Sequence, residues 1–142
     1  MKRITVLLAD DNRVVRSEFR RILEREDDLE VVGEAKNGHQ AVAMVKTLRP
    51  ALILMDVAMP LLNGLQATCQ LLQAAPATKV LMLSAHSDDA YVEEATNSGA
   101  MGYLLKQTAA DRVCPAIREV QKGNTFFSPS ISSRLHKRNR KR

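Results

Sequence analysis

The chain has 142 residues, of which 45% are hydrophobic, and this is enough for one globular unit whose core needs no disulfide or metal to hold it. Cys69 and Cys114 share no short spacing with each other or with a histidine, so neither a disulfide framework nor a zinc site is indicated, and reduced thiols are expected. The first apolar run meets two aspartates before it could act as a signal-peptide core, and no apolar stretch approaches membrane-spanning length. These features exclude secreted and membrane classes and predict a cytoplasmic protein.

The net charge of +5 is concentrated at one end of the chain. Residues 134–142 hold six of the 21 Lys and Arg residues and no acid, which leaves 15 basic against 16 acidic residues elsewhere. A basic segment of this kind is either an arm that weakly contacts the phosphates of DNA or a solvated terminus. The second interpretation is the simpler one, and the rest of the chain is close to neutral.

The first half of the chain alternates between strand and helix patterns. An apolar run over Ile4–Ala9 stops at an acidic turn, and an amphipathic helix follows with Val15, Phe19, Ile22 and Leu23 as its apolar stripe. The charged residues between them, Arg16 included, are expected on the outer face of this helix. A second strand over Leu29–Ala35, a turn and a second helix that ends before Pro50 complete this half.

The second half continues the alternation with three further strand and helix patterns. The run over 51–55 is apolar throughout, which is typical of a strand buried on both faces. A helix over 65–75, a strand over 79–83 and a helix over 88–98, capped by Ser87 or Asp88, come next. A strand over 100–105 and a last helix beginning at Thr108 complete the pattern.

Five βα units in about 122 residues predict an α/β fold: a doubly wound, five-stranded parallel sheet with five helices. We assign residues 1–123 to this domain. Residues 124–142 are assigned to a linker-like segment and the basic tail.

Polar residues end four of the predicted strands. Asp10 and Asp11 follow the first strand, and Asp56, Ser84 and Lys106 close the third, fourth and fifth. Any one of them alone is an ordinary turn or cap residue. In open parallel sheets, however, ligands bind beyond the carboxyl ends of the strands, so the joint pattern indicates a site.

Three carboxylates at this edge would repel one another unless a cation lay between them. An all-oxygen site of this kind suits Mg2+. With Mg2+ and Lys106 to neutralise phosphoryl oxygens and Ser84 to donate a hydrogen bond, Asp56 is suited to be a nucleophile that carries a phosphoryl group.

These motifs resemble the receiver domains of bacterial two-component response regulators. The resemblance covers residues 3–122 and rests on the acidic pair 10–11, LILMDVAMPLLNG around Asp56, Ser84 after KVLML, and YLLK ending in Lys106. It implies the flavodoxin-like strand order 2-1-3-4-5.

The resemblance also implies a role for each residue of the site. Asp56 would be the phosphoacceptor, Ser84 the switch hydroxyl and Lys106 the phosphate-pairing lysine. Asp10, Asp11, Asp56 and the backbone carbonyl of Ala58 would hold Mg2+. Tyr103 matches the aromatic residue that rotates when the switch operates, and its alternative interpretation is a half-buried aromatic on an edge strand.

Some positions depart from the commonest receiver pattern. Ser84 replaces threonine and keeps the hydroxyl. Gln107 replaces a proline, and a cis bond after Lys106 would be costlier than with proline by roughly 2 kcal/mol or more, so its geometry is left open. Ala58 and His86 occupy variable positions that influence the phosphoryl lifetime, although His86 is equally well an exposed loop residue.

The segment GNTFFSPSISSRLHK resembles the linker of receivers joined to a helix-turn-helix DNA-binding domain. The chain is then either a stand-alone receiver, which we favour slightly, or the receiver part of a transcription regulator. A sensor histidine kinase or a small phosphodonor would supply the phosphoryl group, and a downstream output domain or protein would respond. A homodimer is left open, DNA binding would need an output domain or the basic tail, and no membrane partner is expected.

Two other functions fit the site less well. A Mg2+-dependent phosphatase or phosphotransferase acting on an external substrate would need a substrate pocket or cap insertion, and the predicted loops are short. A binding module that is never phosphorylated is disfavoured because every chemical position is filled. Apart from accepting and losing its own phosphoryl group, the protein is expected not to be an enzyme.

Overall fold

Six parallel β-strands form one sheet in the computed structural model of the protein, which describes residues 2–85, 89–128 and 131. The strands are β1 (Ile4–Ala9), β2 (Leu29–Ala35), β3 (Leu52–Asp56), β4 (Lys79–Ser84), β5 (Gly102–Leu105) and β6 (Phe126–Phe127). They lie side by side in the order β2-β1-β3-β4-β5-β6.

Helices connect these strands. The α-helices of the described residues are α1 (Arg13–Glu24), α2 (Gly38–Leu48), α3 (Gly64–Ala74), α4 (Asp89–Asn97) and α5 (Val113–Gln121). A 3-10 helix, Lys106–Asp111, lies between β5 and α5. Within the described residues, no helix combines the length and apolar character needed to cross a membrane.

The predicted α/β architecture with a parallel sheet is confirmed, but the count of five strands and five helices is wrong in detail. Phe126 and Phe127 add a sixth strand beside β5, in the segment predicted to be linker-like. The helix predicted to begin at Thr108 begins at Val113 instead, because a 3-10 helix occupies the preceding residues. Pro115 is then the third residue of α5, where its missing N–H has no helical acceptor to lose.

The surroundings of the central strand β3 explain its unbroken apolar sequence. It pairs with β1 on one side and β4 on the other, and all five of its residues are buried. Ile53 and Met55 pack into an apolar cluster with residues of α2, α3 and α4, whereas Leu52 and Leu54 pack into a second cluster with residues of α1 and α5. The strand is therefore covered by helices on both faces and is held rigidly between two cores.

Side-chain caps begin the helices that follow β1 and β3 at the same edge of the sheet. The Asn12 side chain accepts hydrogen bonds from the backbone N–H groups of Val14 and Val15 at the start of α1. Asn63 and Gln66 form a reciprocal capping box at the start of α3. Each such cap stabilises its helix by about 1 kcal/mol, so the turns after β1 and β3 have defined ends.

The segment around β6 covers the edge of the sheet at β5. The Phe126 N–H donates to the Met101 carbonyl at 3.1 Å, and the Ser128 N–H donates to the Tyr103 carbonyl at 3.0 Å. The buried Ser128 hydroxyl accepts a hydrogen bond from the Leu105 N–H at 3.0 Å. The backbone of β5 is thus paired on both sides.

Gly64 lies where α3 meets the end of β3, and no side chain fits there. Its N–H donates to the Val57 carbonyl at 2.8 Å, and a Cβ at this position would overlap the backbone oxygen of Asp56. Gly33 differs, because the nearest atom to a Cβ there is the flexible end of the Met44 side chain, at 2.7 Å.

We therefore predict that Gly64→Ala destabilises the protein by about 1–3 kcal/mol, the usual cost of forcing atoms into a packed region. Gly33→Ala is the matched control and should cost much less, because Met44 can move. Urea unfolding of the two variants and the wild type measures both changes. Equal losses for the two substitutions would contradict the assignment of the clash to the Asp56 backbone.

Candidate functional site

Three aspartates meet at the carboxyl edge of the sheet. Asp56 is the last residue of β3, and Asp10 and Asp11 directly follow β1, whose Ala9 lies opposite Met55 of β3. One carboxylate oxygen from each aspartate lies within 4.8 Å of the others. Asp10 and Asp56 are both only 3% exposed, while Asp11 is open to solvent.

Backbone groups hold the Asp10 side of this cluster. The Asp10 N–H donates to the Ala35 carbonyl of β2 at 3.1 Å, and its Oδ1 accepts a hydrogen bond from the Asn12 N–H at 2.8 Å. Its Oδ2 is buried and receives no hydrogen bond from the described residues. Its close neighbour is the Lys106 ammonium, with Nζ 3.0 Å away.

Lys106 brings one positive charge to the cluster. It follows β5 and begins the 3-10 helix, and its Nζ lies 3.0 Å from Asp10 Oδ2 and 3.4 Å from Asp56 Oδ1. Burial alone would lower the pKa of this ammonium, but its contacts with Asp10 and Asp56 outweigh burial and raise the pKa above the ordinary lysine value. The peptide bond between Lys106 and Gln107 is trans.

The Asp56 carboxyl has a pKa raised to about 6. The largest cause is burial, and the negative charge of Asp10 adds to it. Lys106 and the Ala58 N–H, which donates to Asp56 Oδ1 at 3.3 Å, act in the opposite direction without cancelling these effects. A single ammonium therefore does not fully compensate the three carboxylates.

This donor set fits a hard divalent cation. All three groups offer carboxylate oxygens close enough to share one ion, and the Lys106 ammonium beside them leaves the cluster with a net negative charge. Mg2+ prefers such oxygen ligands. Ala58 lies two residues beyond Asp56, in the turn before α3. Its backbone carbonyl is the further ligand predicted for the cation.

Ser84 lies on β4, which pairs with β3, and Tyr103 lies on β5, the next strand in the sheet. Ser84 is the last residue of β4, is buried, and lies opposite Leu105 of β5. Tyr103 is fully buried in the cluster that includes Val92 of α4. The alternative interpretation of a half-buried aromatic on an edge strand is wrong, because β6 pairs with β5 beyond it.

Three of the predicted positions, His86, Ser87 and Asp88, lie outside the described residues. The basic tail, 134–142, lies outside them as well.

Arg16 is only 6% exposed, so the prediction that it lies on the outer face of α1 is wrong. Its Nη1 donates to the Asp10 backbone carbonyl at 2.7 Å, and its Nε donates to Glu34 Oε1 of β2 at 2.9 Å. The spacing contained a signal, because Arg16, Phe19 and Leu23 are the buried residues of α1 and lie three and four positions apart. A charged residue on the buried stripe of an amphipathic helix is the mark of an internal ionic contact.

Comparisons with known proteins agree with this geometry. The family model of the response regulator receiver domain matches residues 6–118. The transcriptional regulatory protein DegU of Brevibacillus brevis is 39% identical over 139 residues, which are 98% of this chain and 59% of DegU. The response regulator protein VraR of Staphylococcus aureus is 37% identical, over 98% of this chain and 66% of VraR. The chain thus spans roughly three-fifths to two-thirds of these relatives.

Solved structures give the same result. The crystal structure of a LuxR-family two-component response regulator from Aurantimonas has a TM-score of 0.92 and 28% identity, covering 97% of this chain and 99% of that one. The response regulator domain of CheB from Thermotoga maritima has a TM-score of 0.81 and 30% identity, covering 85% and 98%. With the family model matched across β1 to α5, the chain belongs to the response regulator receiver domain family.

Proposed function

We propose that this protein is a phosphorylation-dependent switch of a two-component system, with Asp56 as its phosphoacceptor. The observation that carries the proposal is the meeting of Asp56 with Asp10, Asp11 and Lys106 at one edge of the sheet. Family membership supports it. A sensor histidine kinase or a small phosphodonor such as acetyl phosphate would supply the phosphoryl group.

Each residue has a role in this transfer. An Asp56 carboxylate oxygen attacks phosphorus, the new P–O bond forms as the bond from phosphorus to the donor breaks, and the donor leaves with that electron pair. Lys106 pairs with the phosphoryl oxygens, and Ser84 donates its hydroxyl hydrogen bond to one of them. Mg2+ would be held by Asp10, Asp11, Asp56 and the Ala58 carbonyl, and when bound it would supply positive charge to neutralise the transferring group.

We propose that β4 and β5 couple the site to the surface formed by α4, β5 and α5. Ser84 and Tyr103 lie on neighbouring strands, and Tyr103 packs in the cluster that contains residues of α4. We infer that movement of the Ser84 hydroxyl towards the phosphoryl group shifts the conformation of Tyr103 and of the α4–β5–α5 surface. The output is then a population shift that changes the affinity for a partner.

The partner is proposed from the relatives. DegU is named a transcriptional regulatory protein and VraR a response regulator protein, and both are longer than the matched region. We propose that this receiver controls an output region or protein of the same class, and that DNA is contacted through that output. A phosphatase acting on an external substrate is disfavoured, because the turns 10–12 and 57–63 that border the site carry no cap insertion.

Phosphorylation of Asp56 is tested with labelled acetyl phosphate and Mg2+. We expect the wild type to gain one phosphoryl group with the hydroxylamine lability of an acyl phosphate, and Asp56→Asn to gain none, because the nucleophilic oxygen is replaced by an amide. Asp27→Asn, an exposed aspartate in the turn between α1 and β2, is the matched control and should behave as the wild type. Label that persists in Asp56→Asn would remove Asp56 from its role.

The raised pKa of Asp56 predicts a pH-dependent stability in protein freed of divalent cations. The folded state keeps the Asp56 proton up to a pH of about 6, whereas the unfolded chain releases it near the ordinary aspartate pKa of 3.8. The free energy of unfolding therefore falls as the pH rises through this window, because the folded state binds more protons there. Asp56→Asn lacks this loss and should be more stable than the wild type at pH 7 by about 1–3 kcal/mol.

Urea unfolding of the wild type and Asp56→Asn in a chelator, at several pH values from 4 to 7, measures this difference. The stability gain of Asp56→Asn should grow with pH and level off near pH 7. A gain that is constant over the range would contradict the raised pKa.

A further inference from the structure

Arg16 is a buried charge that the proposed phosphoryl chemistry does not use. It lies on the apolar stripe of α1, between the sheet and the helix, where a leucine would normally be expected. Burying a charged side chain is costly in solvation free energy, and a buried ion pair is a weak source of stability. The contacts of Arg16 therefore call for a reason other than core packing.

The Arg16 guanidinium holds the peptide unit that joins the two proposed metal-binding acids. The last β1 residue is Ala9, and the Asp10 N–H still bonds to Ala35 of β2. The Asp10 carbonyl instead accepts a hydrogen bond from Arg16 Nη1 at 2.7 Å. Because this carbonyl belongs to the Asp10–Asp11 peptide plane, the contact fixes the rotation that sets how both carboxylates point.

Glu34 braces the guanidinium from the other side. Its Oε1 accepts from Arg16 Nε at 2.9 Å, and its Oε2 accepts from Arg20 Nε at 2.7 Å. Burial alone would raise the pKa of this carboxyl, but the hydrogen bonds from Arg20 and Arg16 outweigh burial and lower the pKa below its usual value. Glu34 also directly precedes Ala35, which binds the Asp10 N–H. Asp10 is thus held by hydrogen bonds on both sides, from its N–H to β2 and from α1 to its carbonyl.

The charges of this network nearly cancel. Arg20 Nη1 also pairs with Glu24 at 2.7 Å, so two guanidinium groups face two carboxylates. The network therefore adds little net field at the aspartates, and its effect on a bound cation is geometric.

We propose that Arg16, braced by Glu34, is a positioning residue that holds the Asp10–Asp11 peptide in the orientation required for divalent cation binding. This role rests on the proposed function of the site. Arg16 touches neither the cation nor the phosphoryl group and acts through Asp10 and Asp11.

Calorimetric titration of the full chain with MgCl2 tests this role without phosphorylation. Arg16→Met keeps the length of the side chain and removes its donors, and we expect the Kd for Mg2+ to rise by about 10-fold, as for other groups that orient metal ligands. Arg20→Met is the matched control. This substitution removes the same charge from the same helix and also removes a hydrogen bond to Glu34, but Arg20 has no hydrogen bond to Asp10. The Kd of Arg20→Met should therefore stay within about twofold of the wild type.

Arg16→Lys gives a second measurement should Arg16→Met fail to fold. A lysine keeps the charge but cannot bond the Asp10 carbonyl and Glu34 with a rigid fork, so a Kd several-fold above that of the wild type is expected. Thermal unfolding of each variant without Mg2+ establishes that it is folded and reports any loss of stability separately from the Kd.

The outcomes separate this proposal from the proposed function. A folded Arg16 variant with the wild-type Kd, or an equal rise for Arg16→Met and Arg20→Met, would overturn the positioning role while leaving the Mg2+ site in place. A wild-type chain that binds no Mg2+ would overturn both.

Discussion

Repulsion among three carboxylates at the edge of β1 and β3 is the constraint on which the rest of this structure depends. Two of these side chains are almost fully buried, and one ammonium, that of Lys106, lies against them. Charges so close together stay together only if the backbone that carries them cannot move apart. The central strand, covered by an apolar cluster on each face, supplies that rigidity. The stability of both clusters therefore keeps the mutually repelling carboxylates close together.

β5 lies between the carboxylate site and the surface near α4. Tyr103, Leu105 and Lys106 lie within one short stretch of chain, so the Lys106 ammonium is only three residues from Tyr103. Tyr103 faces the cluster beneath α4, while the Leu105 N–H is held by the hydroxyl of Ser128. In the proposed function, a charge change at Asp56 alters packing and hydrogen bonding on the side of the sheet where α4, β5 and β6 meet.

Much of the fold and of the candidate site could be predicted from the sequence, because each depends on a local pattern. The unbroken apolar run of β3 marks a central strand, and Asp10, Asp56 and Lys106 stand out because charges end apolar strands. β6 was missed because two residues carry no periodicity, and its pairing depends on contacts with β5 distant in sequence. Arg16 was misplaced because a charge on an amphipathic helix normally faces water, and its partners, a backbone carbonyl and Glu34, are tertiary contacts.

The pairing of β6 with β5 also bears on how this protein can be divided for expression. A fragment that stops at Gly123 would look complete by the count of five βα units, but it would leave the outer backbone groups of β5 without partners. An open strand edge of this kind is a template for association with other chains. It would also lose Ile131, which is buried in the same cluster as Tyr103. A fragment meant to report the properties of the intact receiver should therefore extend past residue 131.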